Sequence, residues 1–493
     1  MSNVASNSEP DPRRWFALVV IAIAQLMVVL DASIVNIALP SAAHALNITP
    51  SNYQWAVTAY TITFGGFLLL GGRIGDYLGR KRAFLIGLIG FATASLIGGL
   101  SINQQMLFGA RALQGVFGAL LAPAALSLIS VTFTDSKERA KAFGVYGALS
   151  GVGAAIGLIA GGILTQYINW RWCLFVNAPM ALIAFALAVP NVRESKVEGH
   201  PKYDVGGALL ATFGMVAIVF GVSQASTKHW SSTSAWPFIA AGAVLLALFI
   251  LLESKVSSPL LPLRLITDRI RAGTYITQLL VGLGLFGMFL FMTFDFQLVH
   301  GYSAVKSGLL FLPFSIGVIV SAIAATQLLP RFGPRPLATT GCAMASLGLF
   351  FLSLIHVSSS YLGHVMPSML LMSLGLGMTF VSLASTALFN VPGKDTGAAS
   401  AVLTTTQQIG GSFGTAIQAT LFVSASMAFG TNWVLTHHRA PPKAVVLQGL
   451  VHGYDVGFRF GAIMLAIAAV VFASMVNIDR HHLGQHDEVA ALA

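Results

Sequence analysis

Two charged side chains are notable because each lies within or beside a long apolar stretch. Asp31 lies in VVLDASIVNIALP, within a run that begins at Trp15, continues to Pro40 and carries no other charge. Arg111 opens the stretch RALQGVFGALLAPAALSLI. A carboxylate in apolar surroundings can take up and release a proton, bind a cation or pair with a guanidinium. The two residues therefore predict proton or cation handling rather than covalent catalysis.

The composition places these residues in a membrane. Hydrophobic residues make up 56% of the 493-residue chain, charged residues make up 9%, and the mean hydropathy is +0.79. A soluble protein of this size needs far more charged surface. The first apolar run is only one of many, which argues against a cleaved secretory signal peptide. We therefore predict a multi-pass protein of the lipid bilayer.

The chain contains fourteen runs that reach about 20 residues, the length needed to cross the hydrocarbon core of a bilayer. An even number of spans places both termini on one side. Of the 27 Lys and Arg residues, roughly three quarters lie in segments on that side, which marks it as cytoplasmic. The predicted spans cover 15–39, 53–72, 83–101, 106–131, 142–165, 171–190, 205–224, 236–253, 272–298, 306–330, 337–356, 364–390, 397–429 and 456–477.

The formal net charge of +10 has a topological explanation. The cations lie in short loops beside apolar spans and not on one face of a soluble domain, so we predict no nucleic-acid partner. Cys173 and Cys342 are predicted near opposite sides of the membrane, and we expect no disulfide between them. The largest predicted outer loop, 430–455, is long enough only for a short interfacial element.

Asp31 and Arg111 are predicted to lie at similar depths. At 1.5 Å per residue, Asp31 lies roughly 24 Å from the cytoplasmic end of its span, and Arg111 lies roughly 9 Å below the outer surface. The hydrocarbon core is about 30 Å thick. Two interpretations follow. The pair couples protons to transport, as intramembrane acids commonly do, or it is a static brace between the first and fourth spans.

Enzyme motifs are missing from the sequence. Neither the phosphate-binding G-x-x-x-x-G-K-[ST] nor the zinc-binding H-E-x-x-H occurs. GGSFG at 410–414 matches G-x-S-x-G formally, but it lies in an apolar helix with no His or Asp placed to serve Ser412. We predict no enzyme activity, no cofactor and no metal site. Any transport must then draw on an ion gradient or on a partner, whose identity the sequence does not give.

An internal repeat divides the chain. YLGRKRAFLIG at 77–87 and RFGPRPLATTG at 331–341 each follow an apolar span, and Gly79 aligns with Gly333. Duplicated halves are typical of secondary transporters. The predicted organisation is a cytoplasmic tail (1–14), a six-helix bundle (15–190), two inserted helices (204–254), a second six-helix bundle (270–477) and a cytoplasmic tail (478–493).

These motifs together resemble a known family. GGRIGDYLGRKR at 71–82 is similar to the signature loop of the major facilitator superfamily. LDASIVNIALP in the first span, RALQGVFGALLAPAALSLI in the fourth and the glycine-rich fifth span resemble the 14-span drug:proton antiporters, which include multidrug and antiseptic exporters. The resemblance covers nearly the whole chain. It implies an all-α integral membrane protein with the major facilitator fold, built from two six-helix bundles and two extra central helices.

The resemblance also implies roles for two glycine-rich segments. In the signature loop Asp76 is interpreted as a gate latch between the two halves, against the alternative of a solvated loop. The predicted gating residues are Gly72, Gly75, Asp76, Gly79, Arg80 and Lys81. The fifth span presents a small-residue face for packing or rocking, which consists of Gly147, Gly151, Gly157, Gly161 and Gly162. It departs from the family's antiporter motif because Leu158 stands where a proline is expected.

Polar residues at mid-depth are candidates for the wall of a substrate cavity, although hydroxyl groups often bond only to their own helix backbone. The candidates are Gln114, Ser373, Thr379, Ser382, Thr404, Gln407, Gln408 and Asp295. Asp295 lies near the outer interface, and we expect it in a wet vestibule rather than as a second proton site.

These observations predict a proton-coupled multidrug antiporter in the cytoplasmic membrane of a prokaryote. It would export small amphipathic, cationic toxic compounds in exchange for protons by alternating access. A dedicated exporter of one endogenous metabolite, antibiotic or lipid stays open as an alternative. So does a non-transporting membrane sensor or scaffold, for which Asp31 would be dispensable.

Overall fold

The structure is a computed structural model of the full chain. It describes residues 12–49, 52–133, 135–195, 204–228, 235–256, 259, 264–389, 391 and 396–477. The predicted tails, 1–14 and 478–493, lie largely outside these residues. Within them the fold is α-helical and contains no strand, as the sequence predicts.

Seven helices precede the central insertion. They are α1 (Arg14–Ala45), α2 (Trp55–Leu78), α3 (Arg80–Gly99), α4 (Gln104–Thr132), α5 (Ser136–Tyr167), α6 (Trp172–Phe175) and α7 (Asn177–Asn191). α6 is one turn that leads directly into α7, and the two form one apolar crossing. The seven helices thus coincide with the first six predicted spans.

Three further helices follow: α8 (Val205–Lys228), α9 (Trp236–Glu253) and the short α10 (Arg264–Thr267). α8 and α9 pack against each other, and α8 also lies against α2. The Thr212 hydroxyl of α8 donates a hydrogen bond of 2.6 Å to the carbonyl of Gly66 in α2. α8 also lies against the later helix Thr396–His437, so the inserted pair contacts both parts of the chain.

The remaining helices are α11 (Arg269–Phe294), α12 (Ala304–Leu310), α13 (Leu312–Phe332), α14 (Pro334–Leu352), α15 (Met366–Leu388), α16 (Thr396–His437) and α17 (Lys443–Met475). π-helical turns extend α11 through Asp295–Val299 and precede α15 at Tyr361–Val365. Among the described residues, ten helices are long and apolar enough to cross a membrane. The other predicted spans also coincide with helices, so the all-α membrane fold is confirmed.

The predicted outer loop at 430–455 is wrong. α16 continues to His437 and α17 begins at Lys443, so only 438–442 connect them. α16 has 42 residues, which corresponds to a length of about 63 Å and exceeds the hydrocarbon core. The two helices pack closely because the small Gly449 and Gly453 of α17 face Phe429 and Phe422 of α16. Helical hydrogen bonding and this packing do not require apolar sequence, so hydropathy missed the extension.

The helix packing repeats between the two parts of the chain. α1 packs on α5 and α7, α2 and α3 pack on α4, and α3 packs on α7. The same arrangement relates α11 to α16 and α17, α13 and α14 to α15, and α14 to α17. The predicted internal repeat thus has a structural counterpart. The exact domain boundaries stay predictions.

The aligned glycines of the repeat share one backbone conformation. Gly79, between α2 and α3, has φ +102°, and Gly333, between α13 and α14, has φ +76°. Only glycine adopts this region without strain. Both residues reverse the chain between consecutive helices, which explains why a glycine occurs at each position.

We call the side on which α1 begins and α17 ends the terminal face, and the other side the opposite face. The helices before and after the insertion meet near the opposite face. Near the opposite face the rings of Tyr53 and Phe294 stack with centroids 4.7 Å apart. The Gln297 side chain donates to the Ile37 carbonyl at 3.1 Å. These contacts close the two parts of the chain against each other at the opposite face.

Candidate functional site

The Asp31 carboxylate lies at the centre of a buried polar cluster. Arg111 Nη1 lies 2.5 Å from Asp31 Oδ2. Two amides donate to Asp31 Oδ1, one from Gln114 at 3.0 Å and one from Asn177 at 2.7 Å. Asp31, Gln114 and Asn177 have no accessible surface, and Arg111 is 1% exposed. The cluster joins α1, α4 and α7 in the interior.

Arg111 is held from several directions. Its Nε donates to the backbone carbonyl of Ala56 at 3.0 Å, and its Nη1 also donates to Gln114 Oε1 at 2.8 Å. The guanidinium carbon lies 4.5 Å from the centroid of the Tyr60 ring. A planar cation with several donors suits this arrangement, since it can bond to a carboxylate and stack on an aromatic face together.

A second layer fixes the amide of Asn177. Its Nδ2 also contacts the Ser95 hydroxyl at 2.9 Å, and that hydroxyl donates to the Leu174 carbonyl at 2.8 Å. Asn177 Oδ1 is buried and has no hydrogen-bond partner within the described part of the chain. The Asp31 cluster thus contains an acceptor atom that receives no hydrogen bond from the described residues. Such an acceptor can take a hydrogen bond from the carboxyl group once that group is protonated.

Sequence reasoning missed Asn177 and Ser95. Both are polar residues in apolar segments, Asn177 in WCLFVNAP and Ser95, together with Thr93, in FATASLIGG, so a polarity signal was present. What the sequence lacked was any sign that α3 and α7 present these residues toward Asp31. Gln114 was expected in a substrate cavity, but it belongs to the Asp31 cluster.

The hydroxyl candidates in α15 do not line an open space in this conformation. Ser373, Thr379 and Ser382 are all fully buried. Each hydroxyl donates to a carbonyl three or four residues earlier in its own helix, at 2.8 to 2.9 Å. In this conformation the helix backbone satisfies their hydroxyl groups, and a cavity role for these three residues stays a prediction.

The candidates in α16 lie closer to the boundary between the two parts of the chain. Thr404, Gln407 and Gln408 are partly buried. The side chain of Gln408 faces Gly65 of α2. The Thr404 hydroxyl bonds to its own helix. A cavity role for these three residues stays a prediction.

Asp295 does not occupy a wet vestibule. It lies at the junction of α11 and the π-helical turn and is 2% exposed. The expectation of solvent contact is wrong because α11 continues as a π-helical turn packed against α17. The rest of the protein therefore covers the position that hydropathy placed near the interface.

An all-helical membrane bundle with repeated halves and a buried ion pair is compatible with few classes of membrane protein. The match of the sequence to a family model identifies the class. The family model described as Major Facilitator Superfamily matches residues 21–415. The chain belongs to the major facilitator superfamily.

Several relatives cover most of the chain. The chain is 44% identical over 465 residues to the puromycin resistance protein of Streptomyces alboniger, covering 94% of this chain and 91% of that protein. It is 36% identical over 429 residues to the cephamycin export protein of Amycolatopsis lactamdurans, with 86% and 87% covered. It is 31% identical over 419 residues to a multidrug efflux pump of Mycolicibacterium smegmatis, with 85% and 83% covered.

A solved structure supports the fold independently. The crystal structure of a D-xylose–proton symporter matches with a TM-score of 0.65 at 14% identity, covering 94% of this chain and 98% of that one. At this identity the likeness shows the fold alone. With the family match, the chain is a multi-pass membrane protein of the major facilitator superfamily.

The superfamily signature loop is anchored to the end of α7. The Glu194 carboxylate accepts from the backbone N–H groups of Lys81 at 3.1 Å and Arg82 at 3.2 Å, in the first turn of α3. An acid is favourable at a helix N-terminus because free N–H groups and the helix dipole meet there. The Arg80 backbone N–H donates to the Ser195 carbonyl at 3.0 Å. Glu194 is a third residue that sequence reasoning missed.

The latch assigned to Asp76 stays a prediction, because its side chain lies outside the described residues. The other predicted gating residues are placed by the structure. Gly72 faces Pro123 of α4, and Gly75 faces Ala83 of α3. Lys81 Nζ donates to the Val189 carbonyl at 2.7 Å. These contacts stay among the helices that precede the insertion.

We expect Gly79→Ala to destabilise the protein. A β-carbon at Gly79 would overlap the Glu194 carboxylate, and φ +102° strains any residue with a side chain. Strain of this kind costs roughly 1–3 kcal/mol. Thermal unfolding of the purified protein should show a lower midpoint. Gly109→Ala is the matched control, since no atom of the residues that the structure describes lies within 4 Å of its added carbon. Equal midpoints for both variants would contradict the prediction.

The glycines of α5 face two different neighbours. A β-carbon at Gly157 or Gly161 would meet the backbone of α1 near Leu30 or Ile34. One at Gly162 would meet Ala304 at the start of α12. α5 therefore uses small residues to approach helices from both parts of the chain.

The predicted α5 face also includes Gly147 and Gly151, whose environment the structure does not describe. Leu158, at the position of the expected proline, is buried, and its carbonyl lies against Gly308. α5 runs without interruption through this position. The contact between α5 and the α12–α13 segment thus forms without the proline.

Proposed function

We propose that this protein is a proton-coupled efflux transporter that exports amphipathic antibiotic-like compounds, cationic ones included, by alternating access. The observation that carries the proposal is the fully buried Asp31 carboxylate with Arg111, Gln114 and Asn177 around it. A carboxylate in such surroundings is the residue type that intramembrane proton transfer requires. The names of the relatives support export as the direction of transport.

The geometry of the cluster supports a chemical role for proton binding. In the ionised state, Asp31 accepts hydrogen bonds from three donors. A proton on Asp31 removes its charge and converts one oxygen into a donor. Arg111 then loses its counter-charge, and the two amides must reorganise. The Asn177 amide now presents Nδ2 to Asp31, and a half-turn of this amide would bring Oδ1 into position to accept from the protonated acid. Protonation thus changes the contacts between α1, α4 and α7 directly.

The fold supports alternating access. The described contacts at the opposite face hold the two parts of the chain together, and proton binding would bias the balance between this arrangement and one that opens there. The basic residues near the terminal face support its assignment as cytoplasmic. The substrate would then enter from the cytoplasm and leave at the opposite face. The proposed organisation keeps two bundles, 15–190 and 270–477, with the insertion 204–254.

A dedicated exporter of a single antibiotic is the second candidate. The names of several relatives specify one compound or compound class, among them puromycin resistance and cephamycin export. The name of another specifies multidrug efflux. A susceptibility panel on cells with and without the protein separates the two. Protection against several unrelated compounds favours multidrug export, and protection against one favours the dedicated exporter.

The test of proton coupling uses the full chain in inside-out membrane vesicles. With a proton gradient, acid inside, we expect uphill uptake of ethidium or of an antibiotic from the panel, since export from a cell is uptake here. A protonophore should abolish the uptake. Substrate addition should also dissipate part of the gradient. Uptake that survives the protonophore would contradict proton coupling, and the absence of any substrate movement would favour the sensor or scaffold alternative.

A further inference from the structure

Asp295, at the start of the π-helical turn, is a buried acid outside the Asp31 cluster. It is 2% exposed, and among the described residues no group donates a hydrogen bond to its carboxylate or forms an ion pair with it. The residues on either side, Phe294 and Phe296, belong to a buried apolar cluster. An ionised carboxylate without donors or a cation is costly inside a protein. In this conformation Asp295 is therefore neutral, with a proton on its carboxyl group.

No cation among the described residues offsets the charge of an ionised Asp295. The π-helical turn packs on α11, α12 and α17. On α17, Tyr454 and Asp455 lie within electrostatic reach of Asp295. The positive charge of Arg459 acts on Asp455 instead. α11 carries no other charged residue between Arg271 and Asp295.

Two basic residues follow the turn, His300 and Lys306. Lys306 of α12 stacks on Tyr302, with its nitrogen 3.5 Å from the ring centroid. Burial and the Lys306 charge lower the pKa of His300, and a histidine with a lowered pKa is neutral near pH 7. Neither residue therefore supplies the counter-charge that an ionised Asp295 would need.

Asp295 lies between two contacts that close the opposite face. Phe294 stacks on Tyr53 just before α2, and Gln297 donates to the Ile37 carbonyl of α1. Both contacts join the helices before the insertion to those after it. Separation of the two parts at this face breaks both contacts and gives water access to the turn that carries Asp295. A carboxyl group that reaches water can release its proton.

We propose that Asp295 is a second proton-binding residue, which must take up a proton from the opposite face before that face can close. The inference rests on the proposed function, because it requires alternating access. After substrate release the open face leaves Asp295 ionised, and acid on that side protonates it. The proton stays on Asp295 while the face is closed and returns to the same side at the next opening. Asp295 thus carries no proton across the membrane, in contrast to Asp31.

Acid favours closure in this scheme, because the closed arrangement holds one more proton than the open one. Lower pH shifts the balance toward the closed face, and higher pH shifts it toward the open face. One linked group changes the ratio of the two arrangements by up to about tenfold per pH unit. The pH on the side of the opposite face therefore controls the step that resets the transporter.

Opening of the opposite face can be measured directly, as distances between spin labels on the full chain in lipid nanodiscs. The labels are placed at Ile102→Cys and Ser358→Cys, exposed positions in the α3–α4 and α14–α15 connections. The buried Cys173 and Cys342 are replaced by alanine. Asp31→Asn is the background, since it removes the proton response of the Asp31 cluster. We expect the ratio of long to short distances to rise roughly tenfold or more from about pH 5 to about pH 8.

Asp295→Asn should abolish this response and keep the face closed at both pH values. Asparagine is neutral and close in shape to the protonated acid, so the fold should be retained. Asp295→Glu keeps a titratable group and should still respond to pH. Two controls should respond like the background. They are Asp268→Asn, which removes an acid at the other end of α11, and His300→Gln, which removes the histidine after the turn.

Three outcomes would overturn the inference. They are an unchanged pH response in Asp295→Asn, a response that is lost in His300→Gln, and distances that do not change with pH in the Asp31→Asn background. Failure of the proposed function has a different signature. In that case wild-type vesicles would show no proton-driven uptake, whereas the pH response of the spin labels would still depend on Asp295.

Discussion

Asp31→Asn should abolish uphill export while leaving a folded protein in the membrane. Asparagine keeps the shape and most hydrogen bonds of aspartate, but it cannot bind and release a proton. Each proton that crosses a membrane at 100 mV releases about 2.3 kcal/mol, and the variant should lose the link to that energy. In inside-out vesicles, ethidium uptake should fall to the passive level, with no pH change on substrate addition.

The control for this prediction is Asp135→Asn. Asp135 caps the start of α5 by accepting from the Glu138 backbone N–H at 2.9 Å, away from the Asp31 cluster. The Asp135→Asn variant loses the same charge as Asp31→Asn, and its transport should stay near the wild-type rate. If Asp31→Asn pumps at the normal rate with an unchanged pH profile, the ion pair with Arg111 is a brace and the proton path lies elsewhere.

Arg111→Gln should strongly destabilise the fold. The substitution leaves a fully buried carboxylate without its cation and removes the donor to the Ala56 carbonyl. Breaking one side of a buried ion pair costs about 3–5 kcal/mol. The midpoint of thermal unfolding in detergent should fall accordingly. Arg111→Lys keeps the charge but not the planar fork of donors. Its unfolding midpoint should lie between those of the wild type and Arg111→Gln.

The double variant Asp31→Asn with Arg111→Gln separates stability from coupling. Removal of both charges takes away the unpaired acid, so much of the lost stability should return. Proton-driven transport should not return, because the carboxylate that binds the proton is absent from the double variant. A double variant that is as unstable as Arg111→Gln would show that the guanidinium stabilises the bundle through its other contacts.

Hydropathy and charge predicted the helices well because crossing a bilayer imposes a length and a composition on each span. The aligned Gly79 and Gly333 revealed the repeat because the backbone reversal at each position requires a positive φ, which residues other than glycine rarely adopt. The extensions of α16 and α17 were missed for a physical reason. Outside the hydrocarbon core a helix needs no apolar sequence, so Gly430 through Asp455 gave no signal that hydropathy could read.

The candidate site was predictable in part. A lone acid and a lone cation at matching depths pointed to Asp31 and Arg111, and the structure places them in contact. Asn177 and Glu194 could not be assigned because their partners come from helices that are distant in sequence. For the α15 hydroxyls, polarity alone does not distinguish a cavity wall from a residue that bonds to its own backbone.

The long hairpin of α16 and α17 has a mechanical consequence. From Gly410, near the middle of the membrane, to His437 the helix continues for about 40 Å. A rigid arm of this length converts a small rotation of the helices that carry it into a much larger displacement at its tip. The turn at 438–442 should therefore move farther than the membrane-embedded part of the helices when they tilt. A spectroscopic label or a bound antibody fragment on this turn would report that tilt with increased amplitude.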